Sequence, residues 1–596
     1  NTTGTPNTAV GASALDANTT GNNNVCIGAG SLGANSTGSQ NTAVGTALWS
    51  NTTADNNTAV GYNTLGANTT GDDNNAFGSE ALLSNTTGTL NNAFGRQALR
   101  SNTTGTTNTA VGHAALYDNV SGSSNTAIGS SALANNTASN NTAVGRDALN
   151  ANTSGENNTA VGSKTLDLCT TGARNVAVGS FAMTNSTTAE ENVAIGQAAL
   201  ESLTTGSQNT ALGQNALKAN TTADTNIAVG RNAMVANTTG SENVAVGTQS
   251  LDANTTARFN TAVGHLALSA NTTAEANTGI GRTSLFANTT GGSNTGCGCA
   301  TLESNTTGGS NNAFGHHSLD ANTTGNSNCA FGIHSLGSNT TANNNAAFGS
   351  NALALNTTGH SNVAVGSFAL DNSNIAIRNT AVGYNTLSSQ TDAGAGTPND
   401  NTAVGNQAGS GITSGYRNTL VGSQAGNAIG NGHSNTIVGY DADVDHFQRI
   451  GGVALGNGIG THAADNSFRV LGAGGVYHTG NTTTWNTVSD ERIKKEIVDS
   501  SVGLAEINQV KIRNFKYRTA SEITATELQE YDLDQLAVND TSTQVGVIAQ
   551  EFETVFPNSI KVDDRGIKNV NEDELLFAMV KAIQELSAKV TALEAG

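Results

Sequence analysis

The sequence predicts a mainly β protein: a long repeat β-solenoid fibre with 17-residue coils, followed by a small α+β segment that ends in a coiled coil. The first observation is a pattern, Asn7-Thr8-Ala9-Val10-Gly11, that returns every 17 residues. Such self-similarity is typical of solenoids, in which stacked units share a core that no single unit can form. The second is composition, since 70 glycines and 4% aromatic residues exclude ordinary globular cores for most of the 596 residues.

The pattern occurs in 26 copies, and its fourth position is apolar in all of them, most often Val. The leading Asn of each copy stands at positions 7, 24, 41, 57, 74, 91, 108, 125, 141, 158, 175, 192, 209, 226, 243, 260, 277, 294, 311, 328, 345, 362, 379, 401, 418 and 435.

Each coil is predicted to contain two short strands, because Gly, Asn and Thr are weak helix formers. One strand is Thr-Ala-Val, ended by glycines such as Gly11. The other surrounds Ala-Leu and is ended by Asn-Thr-Thr-Gly. Both breaks use residues that tolerate positive φ, and Val and Leu are expected to point inward. At the usual strand spacing of about 4.8 Å, the coils would form a filament on the order of 120 Å long.

The repeated leading Asn has two interpretations that the sequence leaves open. Stacked amides can hydrogen-bond from coil to coil as a ladder. Asn is also a common turn residue, which would explain the same column without any ladder.

Changes in period divide the chain. Residues 1–388 form the predicted shaft, and a spacing of 22 instead of 17 residues predicts a protruding loop at 389–400. Residues 401–440 are the last coils, in which Ala408-Gly409 and Ala425-Gly426 replace Ala-Leu and predict a narrower interior. Residues 441–488 leave the period and form a predicted transition region, with short strands near 447–450, 467–471 and 475–477.

After residue 488 the composition becomes charged and mixed. Residues 545–552 predict a strand leading into a short helix, and residues 571–596 predict a coiled coil. Fewer than three heptads are marginal alone, so this helix is expected to need partner chains. By itself, a heptad pattern in which Ile and Val alternate with Leu favours a coiled coil of two helices. The heptad positions are Leu576, Met579, Ile583, Leu586, Val590 and Leu593.

The totals limit the partners and sites. A net charge of −20 argues against nucleic acid, and no apolar run is long enough to span a membrane. Five cysteines do not indicate a disulfide framework. The pair Cys297 and Cys299 is a weak metal signal, and small-residue packing is favoured. His317 and His334 occupy the same place in neighbouring coils, where a solvated pair is favoured over metal ligation. No cofactor and no metal are predicted.

Two further features stay open. The recurring Asn-Thr-Thr matches the glycosylation sequon, although turn chemistry explains the same tripeptide. The chain also begins in mid-unit, so an N-terminal attachment part is expected to precede it.

Three motifs stand in order in the tail: Ser489-Asp490-x-Arg492-x-Lys494, Gly546-Val547-Ile548-Ala549-Gln550-Glu551 and Val555-Phe556-Pro557. With the terminal coiled coil, they make residues 489–596 resemble the C-terminal intramolecular chaperone of endosialidases and phage tail fibres, the S74 peptidase family. The chaperone itself would cover 489–570. The array is similar in pattern to the stacked head repeats of trimeric autotransporter adhesins and to fibre shafts.

The resemblance implies three chains and a single-turnover self-cleavage between Val488 and Ser489. Ser489 would supply the nucleophilic oxygen and Lys494 would act as its base, which requires a partly neutral amine that burial or the nearby Arg492 would favour. Positions five apart lie on different faces of a helix or strand, so the two residues could meet only across a turn or between chains. The remaining motif residues, expected to be structural, are Asp490, Arg492, Gln550, Glu551 and Pro557.

A simpler interpretation is that Ser489 and Asp490 only cap a helix starting at Glu491. The expected function is a structural fibre, a homotrimeric phage tail fibre or related extracellular appendage that binds a host surface receptor or glycan. A bacterial surface adhesin with the same shaft is the alternative. A polysaccharide-degrading tailspike is a third, and would need paired acidic groups. Ice binding by regular columns of Thr is a further hypothesis with weaker support from the sequence.

Overall fold

A computed structural model describes residues 2–391, 399–443, 447–459, 468–470, 498–518, 542–562 and 567–596. The chain divides into two compact units, residues 1–399 and 400–596.

The first unit is a parallel β-solenoid with one three-residue strand per coil. Each strand pairs in register with the strand of the next coil, so that Thr8 lies opposite Val25 and Thr210 opposite Ile227. With 23 strands at about 4.8 Å, the ladder of this unit extends on the order of 100 Å. The predicted solenoid with 17-residue coils is therefore confirmed. Strands β1–β23 are Thr8–Val10, Val25–Ile27, Thr42–Val44, Thr58–Val60, Asn75–Phe77, Asn92–Phe94, Thr109–Val111, Thr126–Ile128, Thr142–Val144, Thr159–Val161, Val176–Val178, Val193–Ile195, Thr210–Leu212, Ile227–Val229, Val244–Val246, Thr261–Val263, Thr278–Ile280, Thr295–Cys297, Asn312–Phe314, Cys329–Phe331, Ala346–Phe348, Val363–Val365 and Thr380–Val382.

The interior of each coil is lined by Ala and Leu, not by Val. In the coil that starts at residue 209, Ala211, Ala216 and Leu217 are fully buried, whereas Leu212 in the Val position is 42% exposed. Side chains alternate along a strand, so the neighbours of the buried Ala must face outward. The prediction that Leu points inward is confirmed, and the prediction that Val does so is wrong.

The predicted second strand is also wrong. The Ala-Leu segment is a turn in which Leu116 has φ 54° and its N–H donates to the carbonyl of Ala132 in the next coil at 2.9 Å. Every coil of the first unit has Leu or Met here, and none has Val or Ile. The reason is that β-branched residues are strongly disfavoured at positive φ. This turn position thus selects a side chain that is not branched at Cβ and still fills the interior.

The two glycine positions differ in their physical demands. Gly213, which ends a strand, has φ 141°, and a Cβ there would lie 2.5 Å from the carbonyl oxygen of Gly230. A Cβ on Gly240, which follows Asn-Thr-Thr, would lie 2.3 Å from the carbonyl oxygen of Ala257, but Gly240 is not among the positive-φ glycines, and the equivalent place in neighbouring coils holds Ala223 and Ala257. The first glycine therefore has a positive φ, and the second does not.

We expect Gly213→Ala to lower the free energy of unfolding by about 2–3 kcal/mol, because φ 141° is a conformation that residues with a Cβ rarely adopt. Gly240→Ala is the matched control and should cost less than about 1 kcal/mol, since neighbouring coils already accommodate Ala there. Urea unfolding followed by circular dichroism measures both. Equal losses would contradict this assignment.

The Asn column forms the ladder that the sequence left open. The side-chain oxygen of Asn226 accepts the backbone N–H of Asn243 at 3.0 Å, and its Nδ2 donates to the carbonyl of Gly240 at 2.9 Å. The Asn of Asn-Thr-Thr forms a second column, in which Asn254 Nδ2 donates to Asn237 Oδ1 at 2.8 Å. It also donates to the carbonyl three residues ahead, that of Ala257, at 3.2 Å. The Asn residues of the second column therefore both hydrogen-bond from coil to coil and stabilise the turn within their own coil.

The second unit begins with further coils. Its strands β24–β28 are Thr402–Val404, Thr419–Val421, Thr436–Val438, Val453–Leu455 and Phe468–Val470, each parallel to the next. The 17-residue spacing continues for one more strand past residue 440, where the transition region is predicted to begin. Gly452 replaces the leading Asn there and still donates its backbone N–H to Asn435 Oδ1 at 2.8 Å.

The predicted narrowing of these last coils is offset by larger side chains elsewhere. Leu420 and Ile437 take the strand-centre place of Ala, and Ile412 is buried beside them. A Cβ on Gly426 would lie 2.7 Å from Leu420 Cδ2. The absence of a side chain at Gly426 therefore leaves room for Leu420, which is larger than the Ala it replaces.

The C-terminal elements of this unit are short except for the last helix. Strand β29 pairs antiparallel with β30, and β31 pairs antiparallel with β32. The predicted strand leading into a short helix and the predicted terminal helix are confirmed. The elements are α1 Leu504–Ile507, β29 Arg513–Phe515, β30 Gln544–Gly546, α2 Ala549–Phe552, a 3₁₀ turn Pro557–Ser559, β31 Ile560–Val562, β32 Lys568–Val570 and α3 Asp573–Glu594.

Several predictions fall on residues outside the described ranges. They are the centre of the loop predicted at 389–400, the strand predicted at 475–477, and the helix predicted to start at Glu491. The predicted domain boundaries remain predictions.

Candidate functional site: the C-terminal segment

The predicted catalytic residues Ser489 and Lys494, together with Asp490 and Arg492, lie outside the described residues. Gln550, Glu551 and Pro557 are described and belong to one small cluster of elements. The site can therefore be built from the second and third motifs and the terminal helix.

A compact apolar core joins the second and third motifs to the start of α3. Phe552 and Phe556 are buried with ring centroids 4.9 Å apart, and Ala578 of α3 is buried with them. Pro557 begins the 3₁₀ turn that follows, where its missing N–H leaves no donor unsatisfied. The motif residues thus serve to seat the terminal helix.

Glu551 has a charged partner that the sequence did not indicate. Its two carboxylate oxygens accept hydrogen bonds from Arg513 Nε at 2.9 Å and Nη2 at 2.7 Å. The guanidinium lowers the pKa of Glu551 below its usual range. Both side chains are partly exposed, so the pair contributes little to stability and mainly fixes α2 against β29. Gln550 lies exposed on the same short helix.

Polar contacts tie α3 to the elements before it. Glu585 accepts a hydrogen bond from the backbone N–H of Leu504 at 3.2 Å, at the start of α1. Ser559 Oγ donates to Glu574 at 2.6 Å. One face of α3 is therefore held by its own chain.

The heptad face of α3 lies open. Leu576 is 50% exposed, Ile583 67% and Leu593 82%. We call the six heptad residues Leu576, Met579, Ile583, Leu586, Val590 and Leu593 the seam. Beside it, an apolar groove of about 230 Å³ lies between α1 and α3, lined by Leu504, Ile507, Met579, Ala582, Ile583 and Leu586. Seam and groove together are an apolar surface of the kind that marks an interaction site.

The other candidate sites were the cysteines and histidines of the solenoid. The rings of His317 and His334 are stacked with centroids 5.3 Å apart, as predicted, and His317 Nδ1 lies 2.9 Å from Asp320 Oδ2. Within the described ranges, no group of three or more His, Cys, Asp or Glu side chains could hold a metal ion. Burial raises the pKa of the Cys26 and Cys169 thiols to about 11.

Nothing in the described helices has the length and apolar character needed to cross a membrane.

Comparison with known proteins agrees with the motifs. Residues 489–561 match the S74 peptidase family model, described as chaperone of endosialidase. No curated protein matches the chain. The chain thus combines a long β-solenoid with a C-terminal S74-type chaperone domain.

Proposed function

We propose that this protein is a structural fibre whose C-terminal domain assembles three copies of the chain and then cuts itself off. The observation that carries the proposal is the open seam of α3, which directly follows the segment that matches the chaperone family. Phage tail fibres are the favoured class. A bacterial surface adhesin with the same shaft is the alternative.

The seam supports assembly because its six side chains remain 40–82% exposed in the single chain. Apolar surface removed from water is worth about 25 cal/mol per Å², so covering six such side chains supplies several kcal/mol per copy. The heptad composition alone would favour two helices. The choice of three rests on the family match, since chaperones of this family typically act in trimeric fibres.

The proposed cleavage uses residues of the first motif. Ser489 Oγ attacks the carbonyl carbon of Val488, and the neutral amine of Lys494 takes the hydroxyl proton. The peptide C–N bond breaks as the ester forms, the freed amine of residue 489 is protonated, and water then hydrolyses the ester. Arg492 and Lys495 favour the required neutral amine by charge repulsion, which lowers a Lys pKa.

One gel tests this proposal. Full-length wild type should release a fragment spanning residues 489–596, whereas Ser489→Ala and Lys494→Ala should remain whole, a loss of at least a hundredfold in cleavage rate. Ser500→Ala and Lys511→Ala are matched controls and should cleave like wild type. Full-length bands of equal intensity in all five proteins would remove self-cleavage from the proposal.

The tailspike alternative finds little support in an acidic groove on the solenoid surface. That groove, about 850 Å³, is lined by Glu190, Glu191, Asp224 and Glu242 among others. Arg174 pairs with both Glu190 and Glu191, and the hydrogen bond from Gln208, together with Arg174, lowers the pKa of Glu191. A glycosidase needs a carboxyl group with a raised pKa as its acid, and the pKa of Glu191 is shifted in the opposite direction.

A further inference from the structure

The outward face of the strands is unusually apolar. The third residue of each strand β1–β23 points away from the interior, and we call this column the outer stripe. It contains only Val, Ile, Leu, Phe and one Cys. None of these side chains is buried: Val10 is 58% exposed, Ile27 44% and Leu212 42%. A solvated surface has no physical reason to keep polar residues out of 23 successive positions.

Charge is missing from the same face. The first strand residue also points outward and is Thr, Val, Asn, Ile, Ala or Cys in these strands, so neither column contains Lys, Arg, Asp or Glu. The exposed corners of the same coils do carry charge, for example Lys218, Asp224 and Arg231. Packing of the coil interior does not explain this exclusion of charged residues, because both columns lie outside the interior.

The area is sufficient for a stable interface. At roughly 60 Å² of exposed surface for each side chain, the outer stripe presents on the order of 1,000 Å², against about 800 Å² that one partner contributes to a typical stable complex. Stacked aromatic rings add anchors within it. Phe314 and Phe331 have centroids 4.4 Å apart, and Phe331 and Phe348 5.1 Å.

We propose that the outer stripe is the surface along which copies of this chain pack side by side. A partner that covers the outer stripe must present apolar groups at the same spacing as the successive coils. A parallel copy of the same chain has that spacing at every coil. The absence of charge favours a like surface, since no complementary sign is needed. This inference rests on the proposed assembly and assigns it a surface far from the seam in sequence.

Paired cysteine variants of the full chain test the placement. Leu212→Cys puts a thiol on the outer stripe, and Thr222→Cys puts one on an exposed corner of the same coil. Both are made in a chain with Cys297→Val, Cys299→Ser and Cys329→Thr, which removes the three half-exposed thiols and leaves the two buried ones. Each variant is treated with a short bismaleimide, separated under denaturing conditions, and weighed natively by light scattering.

We expect both variants to have the mass of three chains, and Leu212→Cys to link between copies at least ten times faster than Thr222→Cys. A trimer in which Thr222→Cys links as fast as Leu212→Cys or faster, or in which neither links, would overturn the inference and leave the proposed assembly intact. The mass of a single chain for both variants and for wild type would overturn both. Unchanged circular dichroism shows that the variants are folded.

Discussion

Asn345→Asp is expected to lower the free energy of unfolding of the solenoid by about 3 kcal/mol at pH 7. In the wild type, the Asn345 side-chain oxygen accepts the backbone N–H of Asn362 at 3.0 Å, and Nδ2 donates to the carbonyl of Gly359 at 2.8 Å. Asp keeps the first bond but sets a carboxylate oxygen against the Gly359 carbonyl in a buried site. The repeated amide is thus needed as a donor as well as an acceptor.

The same variant should depend on pH in a defined direction. Burial and the facing carbonyl raise the folded-state pKa of the new carboxyl above its unfolded value of about 3.9. The folded state then binds the proton more tightly, so the loss of stability is small below about pH 4 and grows as the pH rises above it. Urea unfolding midpoints at pH 3.5 and pH 7, each compared with wild type, measure the difference.

Asn344→Asp is the matched control, one residue away with the same change of charge. Asn344 is exposed and has φ 60°, a conformation that Asp tolerates nearly as well as Asn. Its cost should stay within about 0.5 kcal/mol at both pH values. If the two variants lost equal stability, the ladder would not be the main polar support of the coils.

Ile583→Asp is expected to weaken association between copies at least a hundredfold. Ile583 is the most exposed of the central seam residues and also lines the groove beside α1. A carboxylate there would be buried unpaired when copies meet, which costs several kcal/mol. The mass by light scattering at micromolar concentration measures the effect.

Gln584→Asp provides the comparison, since it changes the adjacent exposed position of the same helix. Both substitutions alter helix propensity by a few tenths of a kcal/mol, so only the seam distinguishes them. We expect Gln584→Asp to assemble like wild type. Assembly of Ile583→Asp at wild-type strength would show that the seam is not what joins the copies.

The sequence predicts the solenoid correctly. It does not show which of the two apolar columns, the Val column or the Leu column, faces the interior. The 17-residue period fixes the coil, and buried Leu217 follows from it. Both Val and Leu are apolar at every repeat, and hydrophobicity alone does not distinguish a side chain buried in its own coil from one at an interface. Ala211 fills the strand centre because the coil is too narrow for more.

The predicted second strand is wrong because a buried Leu was interpreted as a strand residue, although the absence of Val and Ile from that position is the composition signal of positive φ. In the tail, the three motifs were recognisable from residue order. The ion pair of Arg513 with Glu551 was not, because it depends on antiparallel pairing of strands far apart in the chain. Spacing carries no information about such a contact.

The proposed function requires that copies of the chain join. The mass of the Ser489→Ala protein, in which self-cleavage is blocked, tests this requirement most directly. Light scattering at micromolar concentration should give three times 60.0 kDa. A stable value of one times that mass, with the circular dichroism of a folded β protein, would contradict it.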